Sequence, residues 1–354
     1  MRKKLICGPM ATLSHEAFRR IVERFGGVDE HYTEMINAPT LLQGGPFEKY
    51  YLMDGPLPEK IVWQLTSNDA DAMANAASFL ARRDGIGIDI NMGCCAPEIV
   101  RSGAGIAWML KDERETFSMV EKVKSAMENC GAKKRLSVKL RLGGETFVEE
   151  NFFKFCETLC DLGAEQITLH PRTQKERLCR PVRKFFAEEL AARLSQKDVP
   201  VIFNGNVRDA KSANEVFDEC PNVAGIMISR AAVQKPWIFA QLRTEMGNYF
   251  CASKNMCDEK NSNEKTCKDG ENAVRSNRID LLELGLEYIE NLQKFQPPEF
   301  FRTRMQRFFA YYCDNFSFAH YIKTKMLNSQ TREEAEKNFR AYFEEVPEDK
   351  ALFV

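Results

Sequence analysis

Histidine is scarce in this sequence, with only His15, His31, His170 and His320, and no two of the 12 cysteines stand at C-x-x-C spacing. A structural zinc site needs thiolates and imidazoles at short fixed intervals, so no metal is expected. Charge of one sign is lacking too. The net charge is -1, so any basic surface for a polyanionic partner has to be local. No apolar run approaches the roughly 20 residues of a membrane span. The run that follows Met1-Arg2-Lys3-Lys4 is too short for a secretory signal, and a chain of this length does not need a disulfide scaffold. A reducing, cytoplasmic compartment with mostly buried thiols is expected.

What is present is an alternation. Short Ile-, Val- and Leu-rich runs predict strands at Lys4–Met10, His31–Ile36, Lys60–Thr66, Gly87–Gly93, Leu136–Gly143, Gln166–Pro171, Val199–Asn204 and Gly225–Ser229. Most read as continuous apolar runs, as parallel strands covered on both faces do. Amphipathic segments between them predict helices, with Ser14, Asp69 and Asp112 as caps and Pro236 at a helix start. Eight such units in roughly 250 residues fit a (β/α)8 barrel, a TIM barrel. A doubly wound sheet would want a glycine fingerprint after the first strand, and there is none. Residues 1–247 are therefore expected to form the barrel and residues 248–277 a polar, flexible linker. Residues 278–354 are expected to form a small C-terminal helical bundle, its last helix opened by Thr331 and Glu334.

A barrel keeps its chemistry at the C-terminal ends of its strands. The polar residues there are regular: Pro9-Met10-Ala11 after strand 1, Gln64 on strand 3, Asn91-Met92-Gly93-Cys94 on strand 4, and Lys139 and Arg141 on strand 5. His170-Pro171-Arg172 follows on strand 6, Asn204-Gly205-Asn206 on strand 7 and Ser229-Arg230 on strand 8. The last two groups suit a phosphate, Gly205 by allowing close backbone approach and Arg230 by charge. Gln64 offers a donor and an acceptor to an amide-like ring edge. Lys139, a cation on a buried strand, calls for an anionic or electron-rich partner. A flavin mononucleotide meets all of these demands.

Seven segments in order carry a more specific likeness: Pro9-Met10-Ala11, Thr33-Glu34-Met35, Gln64-Leu65, Asp89-Ile90-Asn91-Met92-Gly93-Cys94, Val138-Lys139-Leu140-Arg141, Leu169-His170-Pro171-Arg172-Thr173 and Asn204-Gly205-Asn206. Together they resemble the tRNA-dihydrouridine synthases. The resemblance covers roughly residues 4–246 and, more weakly, the helical tail. It implies an FMN-binding barrel that reduces the C5–C6 bond of selected tRNA uridines with NADPH (or NADH), the helical tail gripping tRNA. By position it implies Cys94 as the catalytic acid, protonating C5 opposite a hydride delivered to C6. A neutral thiol, with a reference pKa of about 8.5, can supply that proton. It implies Pro9, Met10, Ala11, Gln64, Lys139, His170, Asn204, Gly205, Asn206, Ser229 and Arg230 around FMN, and Asn91, Arg141 and Arg172 toward the substrate.

A base inside folded RNA has to leave its stack to react, and that requires a basic surface near the barrel mouth. Two runs qualify: Arg172, Lys175, Arg177, Arg180, Arg183 and Lys184, and in the tail Arg302, Arg304, Arg307, Lys323 and Lys325. The interleaved Phe308, Phe309, Tyr311 and Tyr312 read as helix core rather than as a stacking platform. Glu34 reads as a buried hydrogen-bonding partner. Two positions depart from the family pattern: Cys95 stands where proline usually follows the cysteine, and Ser229 where glycine usually precedes the arginine. A small-pyrimidine flavin dehydrogenase, or a non-catalytic RNA-binding homologue, would be the alternatives. The helical tail argues against the first, and Cys94, Lys139 and Gln64 together argue against the second. A monomer is expected.

Overall fold

The computed structural model describes residues 2–144, 148–176, 180–250 and 278–353. Eight parallel strands close into a barrel: β1 (Lys4–Cys7), β2 (Glu30–Tyr32), β3 (Ile61–Thr66), β4 (Gly87–Met92), β5 (Arg135–Leu140), β6 (Gln166–Leu169), β7 (Val201–Asn204) and β8 (Gly225–Ile228). Each pairs with the next, and β1 pairs with both β2 (Cys7 opposite His31) and β8 (Cys7 opposite Ile228), so the ring has no free edge. The fold class is the expected one. The pair Ile36–Asn37 extends the sheet beside β3.

The strands differ from the expected continuous apolar runs. In β4, Ile88, Ile90 and Met92 join the apolar layer under the surrounding helices, whereas Asp89 and Asn91 point inward. A separate small cluster of Ile6, Tyr32, Val62, Ile202 and Met227 fills the interior. Polar side chains occupy the rest, because a closed ring of strands brings facing residues within hydrogen-bonding reach. Near the N-terminal ends of the strands, Glu30 takes two bonds from Arg135, each 2.7 Å, and one from Lys4 at 2.7 Å. Burial pushes the Glu30 carboxyl up, but the bonds and charge of Arg135, with Lys4, overcome it and hold the group at about 2.

Helix caps follow the sequence in most places. Asp69 accepts from the Asp71 and Ala72 amides, Asp112 from the Arg114 amide and Thr331 from the Glu334 amide. Ser14 is an exception. His15 precedes helix Glu16–Glu23, and the Ser14 hydroxyl instead binds the Gly8 carbonyl (3.1 Å) and the Met10 amide (2.9 Å), bracing the loop after β1.

Four tail helices, Leu281–Phe295, Pro298–Tyr312, Ala319–Asn328 and Arg332–Glu345, pack around buried aromatics. Tyr288 and Phe308 stack at 3.7 Å. Gly285 permits the close approach of the first and last of these helices, since a Cβ there would sit 2.3 Å from the Phe339 ring. Strands Arg278–Asp280 and Ala351–Phe353 pair antiparallel and clasp the ends of the tail, a feature the sequence did not signal. The tail docks on helix Glu16–Glu23 and its flank through Phe18 with Phe308 and Arg24 with Glu283 (2.8 Å). Gly247–Phe250 forms a helical turn where the linker was expected to start, and the linker residues 251–277 lie outside the described residues. Among the described residues no helix is long and apolar enough to cross a membrane, and no cluster could hold a metal ion.

Candidate active site

The C-terminal ends of β5 to β8 and β1 surround a cleft of about 920 Å³. Pro9, Lys139, Arg141, His170, Asn204, Gly205, Asn206, Ser229 and Arg230 line it, which brings together nine of the residues singled out from sequence. Tyr311 and Asp314 close one side, so the tail shares the cleft with the barrel. Lys184, already named in the first basic run, lines it together with Arg208 and Gln234. They lie beyond the strand ends, where strand-end reasoning does not reach. Gly205 has a φ of 149°, and a Cβ there would come within 2.7 Å of Val182 Cγ1. Only glycine leaves the backbone accessible at this turn. Asn204 Nδ2 donates to the Met227 carbonyl at 2.9 Å and ties β7 to β8 directly below.

The cleft is cationic. Burial, with Arg141 next in weight, lowers the Lys139 ammonium to about 8. No carboxylate lies within salt-bridge distance of Lys139 among the described residues, and Asp89 acts on it only as a neighbouring charge. Burial and then the charges of Lys139, Arg141, Arg172 and Arg230 push His170 down to about 2, so its ring is neutral at physiological pH. Arg172 Nη1 donates to His170 Nε2 at 2.7 Å, which leaves Nδ1 to carry the ring proton.

Arg172 is fully buried, not directed at the cleft. Its Nε donates to the Arg180 carbonyl at 2.9 Å, so it braces the loop that follows β6. Arg141 bridges the cleft to the end of β4, its Nε donating to the Gly93 carbonyl at 3.2 Å and Nη1 to the Thr173 carbonyl at 3.3 Å. Met10 and the exposed Ala11 stand on the loop after β1, beside the cleft but not in its lining.

Gln64, Asn91 and Cys94 form a second group at the ends of β3 and β4. Gln64 Nε2 donates to Asp89 Oδ2 at 2.8 Å, and Asn91 Nδ2 donates to Gln64 Oε1 at 2.9 Å. Asn91 Oδ1 accepts the amides of Cys94 (2.9 Å) and Gly93 (3.2 Å). Cys94 is half-buried, and its carbonyl accepts from Ile106. The Cys95 thiol turns to the Gly93 carbonyl at 3.5 Å, and burial raises its pKa. Burial also raises Asp89, to about 6, against hydrogen bonds from Gln64 and Ser137 and the charge of Lys139.

The two basic runs divide. Arg302, Arg307, Lys325, Lys175 and Arg180 are exposed. Arg183 pairs with Glu176, Lys184 with Glu219 and Lys323 with Asp314. Arg304 is buried against Glu34, so it is not available at the surface. Arg177 lies outside the described residues. Phe308, Phe309 and Tyr312 are tail core, while Tyr311 faces the cleft with the Arg307 guanidinium 5.6 Å from its ring centre.

Comparison with known proteins gives the family. The model of the dihydrouridine synthase (Dus) family matches residues 5–350. A probable tRNA-dihydrouridine synthase of Aquifex aeolicus is 29% identical over 294 residues, which cover 79% of this chain and 86% of the relative. A probable tRNA-dihydrouridine synthase of Helicobacter pylori is 31% identical over 243 residues, covering 68% of this chain and 70% of the relative. The tRNA-dihydrouridine(47) synthase [NAD(P)(+)]-like protein of Xenopus laevis is 29% identical over 245 residues, covering 69% of this chain and 36% of that longer protein. With a family match that spans barrel and tail alike, the chain belongs to the dihydrouridine synthase family.

Proposed function

We propose that this chain reduces the C5–C6 double bond of uridines in tRNA to dihydrouridine, with NADPH or NADH as reductant and FMN as the resident cofactor. The reading rests on family membership and is carried by one geometric observation. Arg141 lines the cationic cleft and also donates to the carbonyl of Gly93, so one side chain links the cleft to the loop that carries Cys94.

The residues present fit FMN. The cleft is large enough for a flavin, and Lys139 stands in it with no carboxylate within salt-bridge distance among the described residues. The turn at Gly205 and Asn206, with Ser229 and Arg230, would hold the phosphate. Lys139 and Gln64 would hold the ring edge, and Pro9, Met10, Ala11, His170 and Asn204 would complete the pocket. Bound there, FMN would supply the hydride that C6 receives. Neutral His170 adds a hydrogen-bond donor to the cleft without adding charge. Cys94 holds the proton that C5 requires, and Asn91 fixes the loop that carries the thiol. Arg172 acts at one remove, by holding His170. Exposed Arg302, Arg307 and Lys325 on the tail, with Lys175 and Arg180, would meet tRNA phosphates. We assign residues 278–354 to that grip and residues 1–247 to the chemistry.

Cys94→Ala tests the reading. The variant is expected to keep bound flavin and to oxidise NADPH with a dye or oxygen as acceptor, but to form no dihydrouridine. Full tRNA reduction by this variant would overturn the assignment of Cys94. Dihydrouridine mapping in a deletion strain separates an RNA substrate from a small pyrimidine.

A further inference from the structure

The interior of the barrel contains two chains of hydrogen bonds that run to one carboxylate. One starts at the active-site loop: the Gly93 and Cys94 amides donate to Asn91 Oδ1, Asn91 Nδ2 donates to Gln64 Oε1, and Gln64 Nε2 donates to Asp89 Oδ2. The other starts across the barrel. Gln166 Nε2 donates to the Tyr32 hydroxyl at 2.9 Å, that hydroxyl lies 3.4 Å from Ser137 Oγ, and Ser137 donates to Asp89 Oδ1 at 2.7 Å. Asp89, Gln64, Gln166 and Ser137 are fully buried, and Asn91 nearly so.

The direction of each bond follows from its ends. Backbone amides only donate, and an ionised carboxylate only accepts. Between them, Asn91 has to turn its oxygen up to the loop and its nitrogen down to Gln64. Gln64 then has to turn its oxygen up and its nitrogen down to Asp89. Neither amide can flip without setting two donors or two acceptors face to face in a dry interior, a costly arrangement. One Gln64 hydrogen and one oxygen lone pair are left over by these two bonds, with their orientation fixed.

We propose that Asp89 is a positioning residue for the reaction: as the common acceptor beneath Gln64, it fixes the orientation of the Gln64 and Asn91 amides and, through Asn91, the backbone of the Cys94 loop. Asp89 touches no substrate and acts through residues that do. The inference rests on the reading of Cys94 as the proton donor, and its test can be scored separately from that reading.

The experiment compares Asp89→Leu, Asp89→Asn and Ser137→Ala in the flavin-loaded full chain. One readout is the alkylation rate of Cys94 by iodoacetamide, measured by peptide mass spectrometry with the half-buried Cys130, outside this loop, as internal reference. The second is kcat and KM for tRNA. Asp89→Leu removes the acceptor. It is expected to change the Cys94-to-Cys130 labelling ratio by at least about threefold and to lower kcat about tenfold or more, with KM for tRNA little changed. Asp89→Asn keeps one acceptor oxygen for Gln64, so it is expected to show the same signature more weakly, and it carries the test if the leucine variant does not fold. Ser137→Ala breaks only the other chain and is expected to leave the labelling ratio at the wild-type value. Wild-type labelling and kcat in both Asp89 variants would overturn the proposal, as would a Ser137→Ala shift as large as that of Asp89→Leu. If Cys94→Ala reduced tRNA normally, the role of the thiol would fall, while the labelling ratio would still judge whether Asp89 sets the loop.

Discussion

Glu34 and Arg304 meet at 2.6 Å with both side chains buried, joining the end of the second barrel strand to the second tail helix. The other carboxylate oxygen accepts the Thr12 amide at 2.6 Å, holding a residue with a φ of 66° in the loop after β1. A threonine in the left-handed region is strained and stays there only when its surroundings hold it. The tail is therefore fastened to the loop that carries Met10 and Ala11.

Removing one partner of this pair leaves the other charged and dry. Arg304→Met is expected to destabilise the protein by about 3–5 kcal/mol in urea unfolding. Glu34→Met with Arg304→Met should recover much of that loss, leaving about 1–3 kcal/mol for the lost Thr12 bond. A double variant no more stable than the arginine variant alone would contradict this account.

Acid should act through Glu30. Its folded pKa is about 2 against an ordinary 4.5, so the ionised form is favoured in the folded protein. The contribution is complete above pH 4.5 and is lost as pH falls through 2; it amounts to about 3 kcal/mol. The urea midpoints of wild type and Glu30→Gln should lie well apart at pH 7 and draw together near pH 2. A gap independent of pH would show that Glu30 contributes only packing.

Lys139 has the opposite sign. Its folded pKa is about 8 against an ordinary 10.5, so between those values the folded protein binds fewer protons than the unfolded chain. The charge opposes folding in full below pH 8, and the penalty fades toward pH 10.5. Lys139→Met should therefore stabilise the flavin-free protein at pH 7 by about 1–3 kcal/mol, a gain that vanishes at high pH. The same variant should bind FMN more than about tenfold more weakly, measured by flavin fluorescence quenching. Lower melting temperature in the flavin-free variant would refute the first half of this statement.

The two adjacent thiols should separate in function. Cys95 turns back to the Gly93 carbonyl and burial keeps it protonated, whereas the Cys94 amide is held by Asn91. Cys95→Ser is expected to keep tRNA reduction within about threefold of wild type, a near-isosteric swap at a half-buried position being mild. Loss of activity comparable to that of Cys94→Ala would mean that the wrong sulfur has been assigned.

Much of this site was legible in the sequence because a barrel converts strand ends into neighbours. Pro9, Lys139, His170, Asn204 and Arg230 are far apart in the chain yet share one cleft. Three things were not legible. Arg172 and Arg304 look like surface cations beside other cations, but their partners (the Arg180 carbonyl and Glu34) are set by tertiary placement. Ser14 has the composition of a cap, but the Gly8 carbonyl and Met10 amide take its hydroxyl. The interior polar residues hid inside apolar runs, since Asp89 and Ser137 each sit between aliphatic neighbours in strands whose other face is Ile, Val, Leu and Met.

The hydrogen-bonded run from Asp89 to the Cys94 loop also limits how this protein can change over generations. Each amide in it takes its orientation from its neighbours, so a substitution at Gln64, Asn91 or Asp89 changes the fitness of substitutions at the other two. Single steps away from the present set pass through a mismatched interior, which makes the three positions inherit as a block rather than drift one by one.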